Sequence, residues 1–190
     1  MTARKSLLAA LAAAALGPAL ADPPAGCSGT PQVHDASPAA VRSFVRQQQR
    51  QVLTLAGYSG AGYQDPAAML ATAARVLDGH RPERTLVNIG ATAEGIGAAY
   101  ALAKQRGFTT LGIVSSLARE QQVPLSPCVD HVFFIADKTW GGLLPGGRRL
   151  SPTSQALVSA STWYVAIGGG EIARDEALAA QRRGKPVRFA

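Results

Sequence analysis

Three short stretches of the chain combine glycine with groups able to hold or attack a ligand: Gly57-Tyr58-Ser59-Gly60-Ala61-Gly62, Gly90-Ala91-Thr92-Ala93-Glu94-Gly95-Ile96-Gly97 and Gly168-Gly169-Gly170-Glu171. Glycine lets backbone N–H groups approach a ligand closely. A helix starting just beyond adds partial positive charge, so such loops suit phosphate or carboxylate. On this reading the ligand-contacting residues are Gly57, Ser59, Gly60, Gly90, Thr92, Gly95, Gly168, Gly169, Gly170 and Glu171. Tight strand-to-helix packing is the commoner use of any one such loop, whereas three converging on one edge of a sheet modestly favour a ligand.

Familiar chemistries can be tested against these stretches literally. The Gly90–Gly97 turn carries Ile96 and Gly97 where a P-loop requires Lys and Ser or Thr, and it lacks the G-x-G-x-x-G spacing of dinucleotide binders. Ser59 resembles a nucleophile-elbow serine, but Ala61 breaks the G-x-S-x-G spacing. The acid and base of such a hydrolase would have to come from the adjacent Asp130 and His131, and an esterase sheet places several strands before its serine. His34, His80 and His131 are far apart, with no i,i+4 His or neighbouring Cys ligand. Neither a metal nor a resident cofactor is expected.

The elements that must position these loops follow from the hydrophobic pattern. Ser37-Pro38 opens a helical run through Ala40, Val41, Phe44 and Val45, with Ser37 as N-cap. Short apolar runs then alternate with helical stretches: Val52–Ala56, Pro66–Leu77, Thr85–Ile89, Gly95–Gln105 and Thr110–Ser115. A strand at His131–Ala136, a helix at Pro152–Ala160, a strand at Trp163–Ile167, a helix at Glu171–Arg182 and a strand at Pro186–Phe189 continue the order. The strands lack two-residue alternation, as expected of parallel strands covered on both faces. The pattern predicts a single doubly wound, mainly parallel α/β sheet of five or six strands. Right-handed crossovers then bring the loops after the strands to one edge, where ligands bind.

Residues 1–21 have the three parts of a secretory signal: Arg4 and Lys5, an acid-free apolar stretch from Leu7 to Ala15, and the small residues of Ala19-Leu20-Ala21. The apolar run is broken by Gly17 and Pro18, which makes it too short for a membrane anchor. Cleavage is expected near Ala21, giving a periplasmic or extracellular protein. Pro23 and Pro24 sit where a lipid-attachment box before Cys27 would have Leu and the end of the apolar segment, so lipid anchoring is not expected. Residues 22–37, rich in Pro, Gly, Ser and Ala, read as an extended leader, and 38–190 as one domain. Cleavage would leave 17 of the 19 Lys and Arg against all 12 acids, a net charge of +5. The cations are scattered without interleaved aromatics, which argues against nucleic acid. Cys27 and Cys128, an even pair in an exported chain, are expected to form a disulfide.

The second half of the glycine pattern resembles a known family. Leu86-Val87-Asn88-Ile89-Gly90 through Gly107–Val114, and Trp163–Glu176, are similar to the corresponding segments of the LOG family and the wider SLOG superfamily. These Rossmann-like proteins, often mislabelled lysine decarboxylases, include cytokinin-nucleotide phosphoribohydrolases and relatives proposed to bind nucleotide-derived ligands. The resemblance spans Val52 to Phe189. It places Gly169 and Gly170 on the glycines of the P-G-G-x-G-T-x-x-E loop and Glu176 on its acid, while Gly168, Ile172 and Ala173 replace Pro, the third Gly and Thr. The family's catalytic arginine falls on Thr153, with Arg148 and Arg149 a few residues away. The resemblance therefore implies Glu176 and Arg149 as catalytic candidates, the first to stabilise an oxocarbenium-like centre and the second, or Arg174 in its place, to hold phosphate. An ordinary first-turn role at the helix dipole is the alternative for Glu171 and Glu176.

Three functions follow from these residues. The first is an exported domain that binds a nucleotide-like or other small anionic ligand without the full catalytic apparatus. The second is an N-glycosidase of the phosphoribohydrolase type. The third is a structural or interaction protein whose Ala-rich helices form a homodimer. Trp140–Gly147 is a long loop able to close over a site or to be a simple surface excursion.

Overall fold

The computed structural model describes Cys27 and residues 29–190 other than 148. The expected signal segment 1–21, the first residues of the leader and Arg148 lie outside the described residues.

Pro at the first position behind a capping side chain starts three of the helices. In α1 (Pro38–Gln48), α2 (Pro66–Asp78) and α5 (Pro152–Ala160) the caps are Ser37, Asp65 and Ser151, each accepting an N–H from the first turn. The strands are β1 (Gln32–Ala36), β2 (Gln51–Gly57), β3 (Thr85–Asn88), β4 (Thr109–Ser115), β5 (His131–Ile135), β6 (Trp163–Ile167) and β7 (Val187–Phe189). A 3-10 turn at Gly95–Ala98 leads into α3 (Ala99–Gln105); α4 (Leu117–Glu120) follows β4, and α6 (Glu171–Arg182) joins β6 to β7.

All seven strands are parallel, in the order β1-β5-β4-β3-β2-β6-β7. One face buries Met69, Leu77 and Tyr100 of α2 and α3, and the other buries Val41, Leu157 and Ala177 of α1, α5 and α6. Covering on both sides explains why Val52 to Leu55 and all of β3 are buried without alternation. The sheet is the doubly wound α/β sheet read from the sequence, with one strand more than the five or six expected.

The additional strand is β1, inside the segment that reads as leader. Its sequence, Gln-Val-His-Asp-Ala, has almost no apolar signal, and its side chains are half-buried or exposed. Pairing holds it in place. Gln32 to Ala36 lie in register with His131 to Ile135, the His34 ring stacks on Phe133 with centroids 4.6 Å apart, and Asp35 meets Arg119 at 3.0 Å. Cys27 and Cys128, just before the two parallel strands, are joined in a disulfide with Cα atoms 4.2 Å apart. The bridge therefore clamps the shared starting edge of β1 and β5. The Cys27 sulfur, being in that bond, is not available for lipid attachment. No helix among the described residues is long and apolar enough to cross a membrane.

The disulfide closes a loop of 101 residues, for which chain entropy alone gives a stabilisation of about 4 to 5 kcal/mol. Replacing both cysteines by serine is expected to lower the unfolding free energy by about 2 to 4 kcal/mol in urea. Amides 32–36 should exchange with solvent first. An unchanged denaturation midpoint would contradict the clamp.

Candidate functional site

The direction in which strands are added reverses between β2 and β6: from β2 the sheet grows through β3 and β4 on one side, and from β6 to β7 on the other. At the carboxyl ends of these strands, where such a switch leaves a crevice, lies a cleft of about 610 Å³, within the usual size of small-ligand sites. All three glycine loops reach it. Gly57, Ser59, Gly90, Thr92, Gly170, Glu171 and Glu176 line it.

Gly60, Gly95, Gly168 and Gly169 do not line the cleft; they support it. Gly95 has φ +57, and a Cβ there would overlap the carbonyl oxygens of Tyr58 and Ser59. The first two loops therefore pack directly on each other, and Ile96 N–H donates to Tyr58 C=O at 2.7 Å. Gly169, at φ +112, would bring a Cβ to 2.6 Å from that of Ala173, so the turn into α6 also requires glycine.

The Gly90 loop is shaped by two buried side chains. β3 ends at Asn88 while β4 runs on to Ser115, so the strands part and the ladder stops at Asn88 and Leu111. The Asn88 carboxamide oxygen accepts the Ile113 N–H at 3.1 Å and the Gly90 N–H at 3.4 Å. The Tyr100 hydroxyl accepts the N–H groups of Ile89 and Ala91, at 2.9 and 3.0 Å, and donates to the Leu111 carbonyl. Gly90 and Ala91 are thereby held at φ +68 and +63. Their N–H groups face the protein and are not offered to a ligand. Among the three loops, the start of α6 best retains free donors, because its N-cap Gly170 supplies no side chain.

The cleft walls are mainly apolar, with Leu55, Ile89, Ile113, Leu125 and Leu157 among them. Tyr58, Val123, Trp140 and Ile172, all at least 39% exposed, edge its mouth. Trp140 brings the 140–147 loop to the cleft. Its neighbour Gly142 is anchored by an N–H bond to Ser154 Oγ at 2.7 Å. No Lys or Arg lines the cleft among the described residues.

Glu176 sits on α6 at 5% exposure, with both oxygens occupied: Ser154 Oγ donates to Oε1 at 2.5 Å and Tyr164 OH to Oε2 at 2.9 Å. Burial pushes its carboxyl up to about 7; the bonds from Ser154 and Tyr164 oppose this, and the nearby Asp175 charge adds to it. The protonated form is also satisfied, because Oε2–H can donate to Tyr164, whose own hydroxyl then turns to Ala173 C=O at 3.2 Å. Glu176 thus ties α6, β6, α5 and the Trp140 loop together.

Arg149 is not brought to Glu176. It is exposed and lines a separate cavity with Arg182 and Arg183. Thr153, which the family register places at the catalytic arginine, does line the cleft; it is 4% exposed and its hydroxyl has no hydrogen-bond partner among the described residues. The Thr153 N–H donates to Asp137 at 2.8 Å. Burial works to raise the Asp137 carboxyl, but the amides of Thr153 and Thr139 outweigh it and hold it below its ordinary value. Ser59 lies on the rim of the cleft, whereas Asp130 and His131 stand at the amino end of β5, so they form no triad. Asp130 is occupied by Lys104 and Thr110. Ser115, Ala118, Val123 to Leu125 and Leu157 line the cleft without any sequence motif to announce them.

Fold and cleft together define a Rossmann-like α/β domain with a cleft at the switch point of a parallel sheet. Among solved structures it is similar to the molybdenum cofactor carrier protein of Chlamydomonas reinhardtii, at 20% identity and TM-score 0.52, over 74% of this chain and 76% of that one. It is likewise similar to the molybdenum cofactor binding protein of the phototrophic bacterium Rippkaea orientalis, at 19% identity and TM-score 0.52, over 74% and 76% of the two chains. No protein-family model and no curated protein matches the sequence. At these identities the likeness is one of fold.

Two substitutions test this geometry. Tyr100→Phe strands two amides and a carbonyl in the core and should destabilise the protein by about 2 to 4 kcal/mol in chemical denaturation. The Gly90 loop amides should lose exchange protection; full stability in the variant would contradict their dependence on the hydroxyl. For Glu176, the folded state holds its proton more tightly than the unfolded chain. Its contribution to stability is therefore complete below about pH 4.5 and is lost as pH rises towards 7. Glu176→Gln keeps the hydrogen bonds and should remove this fall, which is on the order of 2 to 3 kcal/mol. His80 and His131, lowered mainly by burial, act with the opposite sign in both proteins, so the difference between them isolates Glu176. Parallel pH profiles would contradict the assignment.

Proposed function

We propose that this protein is a non-catalytic binding protein for a small nucleotide-like ligand, whose flat ring lies between the apolar walls of the switch-point cleft and whose anionic end meets the start of α6. The observation that carries this reading is Glu176: it lines the cleft, yet both its oxygens are held by Ser154 and Tyr164, and among the described residues no Lys or Arg lines the cleft with it. A glycosidase needs that carboxylate free to face a developing positive charge and needs cations to hold the phosphate. Apolar walls with few polar groups suit a binder. The naming of two fold neighbours as molybdenum cofactor carrier and binding proteins agrees with carriage of a ligand. We also read the protein as exported, with binding taking place outside the cytoplasm. The basic and apolar start of the chain and the Cys27–Cys128 disulfide support this.

The test incubates the protein with AMP, GMP, a pterin monophosphate and molybdenum cofactor released from a molybdoenzyme, following both thermal shift and release of free base. A rise in melting temperature without base release, abolished by Ser59→Trp at the rim, is the expected result. Glu171→Gln removes a negative charge from the first turn of α6 and should tighten the binding of the anionic ligand by about two- to five-fold. Base release that stops in Glu176→Gln would establish the glycosidase instead, and no shift with any compound would overturn the binding reading.

A further inference from the structure

A second cavity, of about 440 Å³, lies between the segment after Leu143 and the far half of α6, and it shares no lining residue with the switch-point cleft. Among the described residues its charged lining consists of Arg149, Arg182 and Arg183, with no carboxylate. Arg182 and Arg183 at the end of α6 are where cations complement a helix dipole. That does not account for Arg149, which comes from a different segment, or for the apolar wall of Leu143, Leu144 and Leu150 beside the three. None of the three forms a salt bridge among the described residues, whereas Arg106, Arg119 and Arg174 each have a carboxylate partner. Arg183 donates one N–H to Ser159 Oγ at 3.1 Å, which leaves its other guanidinium N–H groups for a ligand. Three like charges around one hollow repel one another, and an anion between them removes that cost. Guanidinium groups match phosphate oxygens in pairs and stay charged at any physiological pH.

We propose that this cavity is an anion site for a phosphate monoester with an apolar body, the phosphate held by Arg149 and Arg182 with Arg183, and the body laid on Leu143, Leu144 and Leu150. The site is independent of the switch-point cleft and stands whether or not that cleft binds a nucleotide-like ligand. It also gives Arg149 a phosphate-binding role away from Glu176.

Calorimetric titration of the whole protein with hexyl phosphate, inorganic phosphate, hexanol and phosphatidylglycerol vesicles tests it. Hexyl phosphate should bind at least about ten-fold more tightly than inorganic phosphate or hexanol, and binding should weaken as salt is raised from about 50 to about 200 mM. The double variant Arg149→Ala, Arg182→Ala, whose side chains are exposed, should lose at least about ten-fold in affinity while keeping its melting temperature. Ser59→Trp should leave hexyl phosphate binding unchanged. The proposal is overturned if the double variant binds like the wild type, if Ser59→Trp abolishes binding, or if inorganic phosphate binds equally well. Binding to vesicles without binding of soluble hexyl phosphate would likewise overturn it, by revealing a membrane-facing patch in place of a small-molecule site.

Discussion

The cleft exists because β3 and β4 part company, and they can do so only because Asn88 and Tyr100 take over the hydrogen bonds that the ladder abandons. Beyond the Asn88–Leu111 pair, the amides of Ile89, Ala91 and Ile113 and the carbonyl of Leu111 would otherwise be buried without partners. Each such group costs on the order of 1 to 3 kcal/mol. One carboxamide and one phenol satisfy them, so β3 can turn aside at Gly90 and leave Ile113, Val114 and Ser115 of β4 facing the cleft. The same hydroxyl that closes the core opens the site.

A comparable exchange takes place on the other side of the switch point. Glu176, buried between α5, α6 and β6, is held by Ser154 and Tyr164, and Ser154 in turn holds the Gly142 amide. An acid that a hydrolase would keep free here joins a strand, two helices and the loop bearing Trp140. The resulting cleft is tied by hydrogen bonds on its polar side and lined by apolar groups on its open side.

Much of the fold was legible in the chain. The buried strands are continuous apolar runs because helices cover both faces, and Ser-Pro and Asp-Pro pairs mark helix starts through capping and a fixed φ. β6, α5 and α6 fall on the segments the pattern indicates. β1 was not legible. Its residues carry little burial signal, and the strand is created by register with β5 and by the disulfide, both of which connect positions about 100 residues apart. The glycine loops likewise announced the edge that carries the cleft but not which glycines face it. Gly95 and Gly169 are required by close packing, while Gly90 and Gly170 line the cleft, and composition alone cannot separate the two uses.

By itself, the sequence determined the parallel doubly wound sheet, the edge at which the glycine loops gather around a cleft, and the pairing of its two cysteines, because hydrophobic period, capping and cysteine count are local or compositional properties. The tertiary structure decided what that edge can do. It seals Glu176 with hydrogen bonds from Ser154 and Tyr164, puts Thr153 in the cleft wall, and sends Arg149 to another cavity. Those outcomes depend on which side chains meet across distant segments in a low-dielectric interior, and packing fixes such meetings where sequence spacing does not.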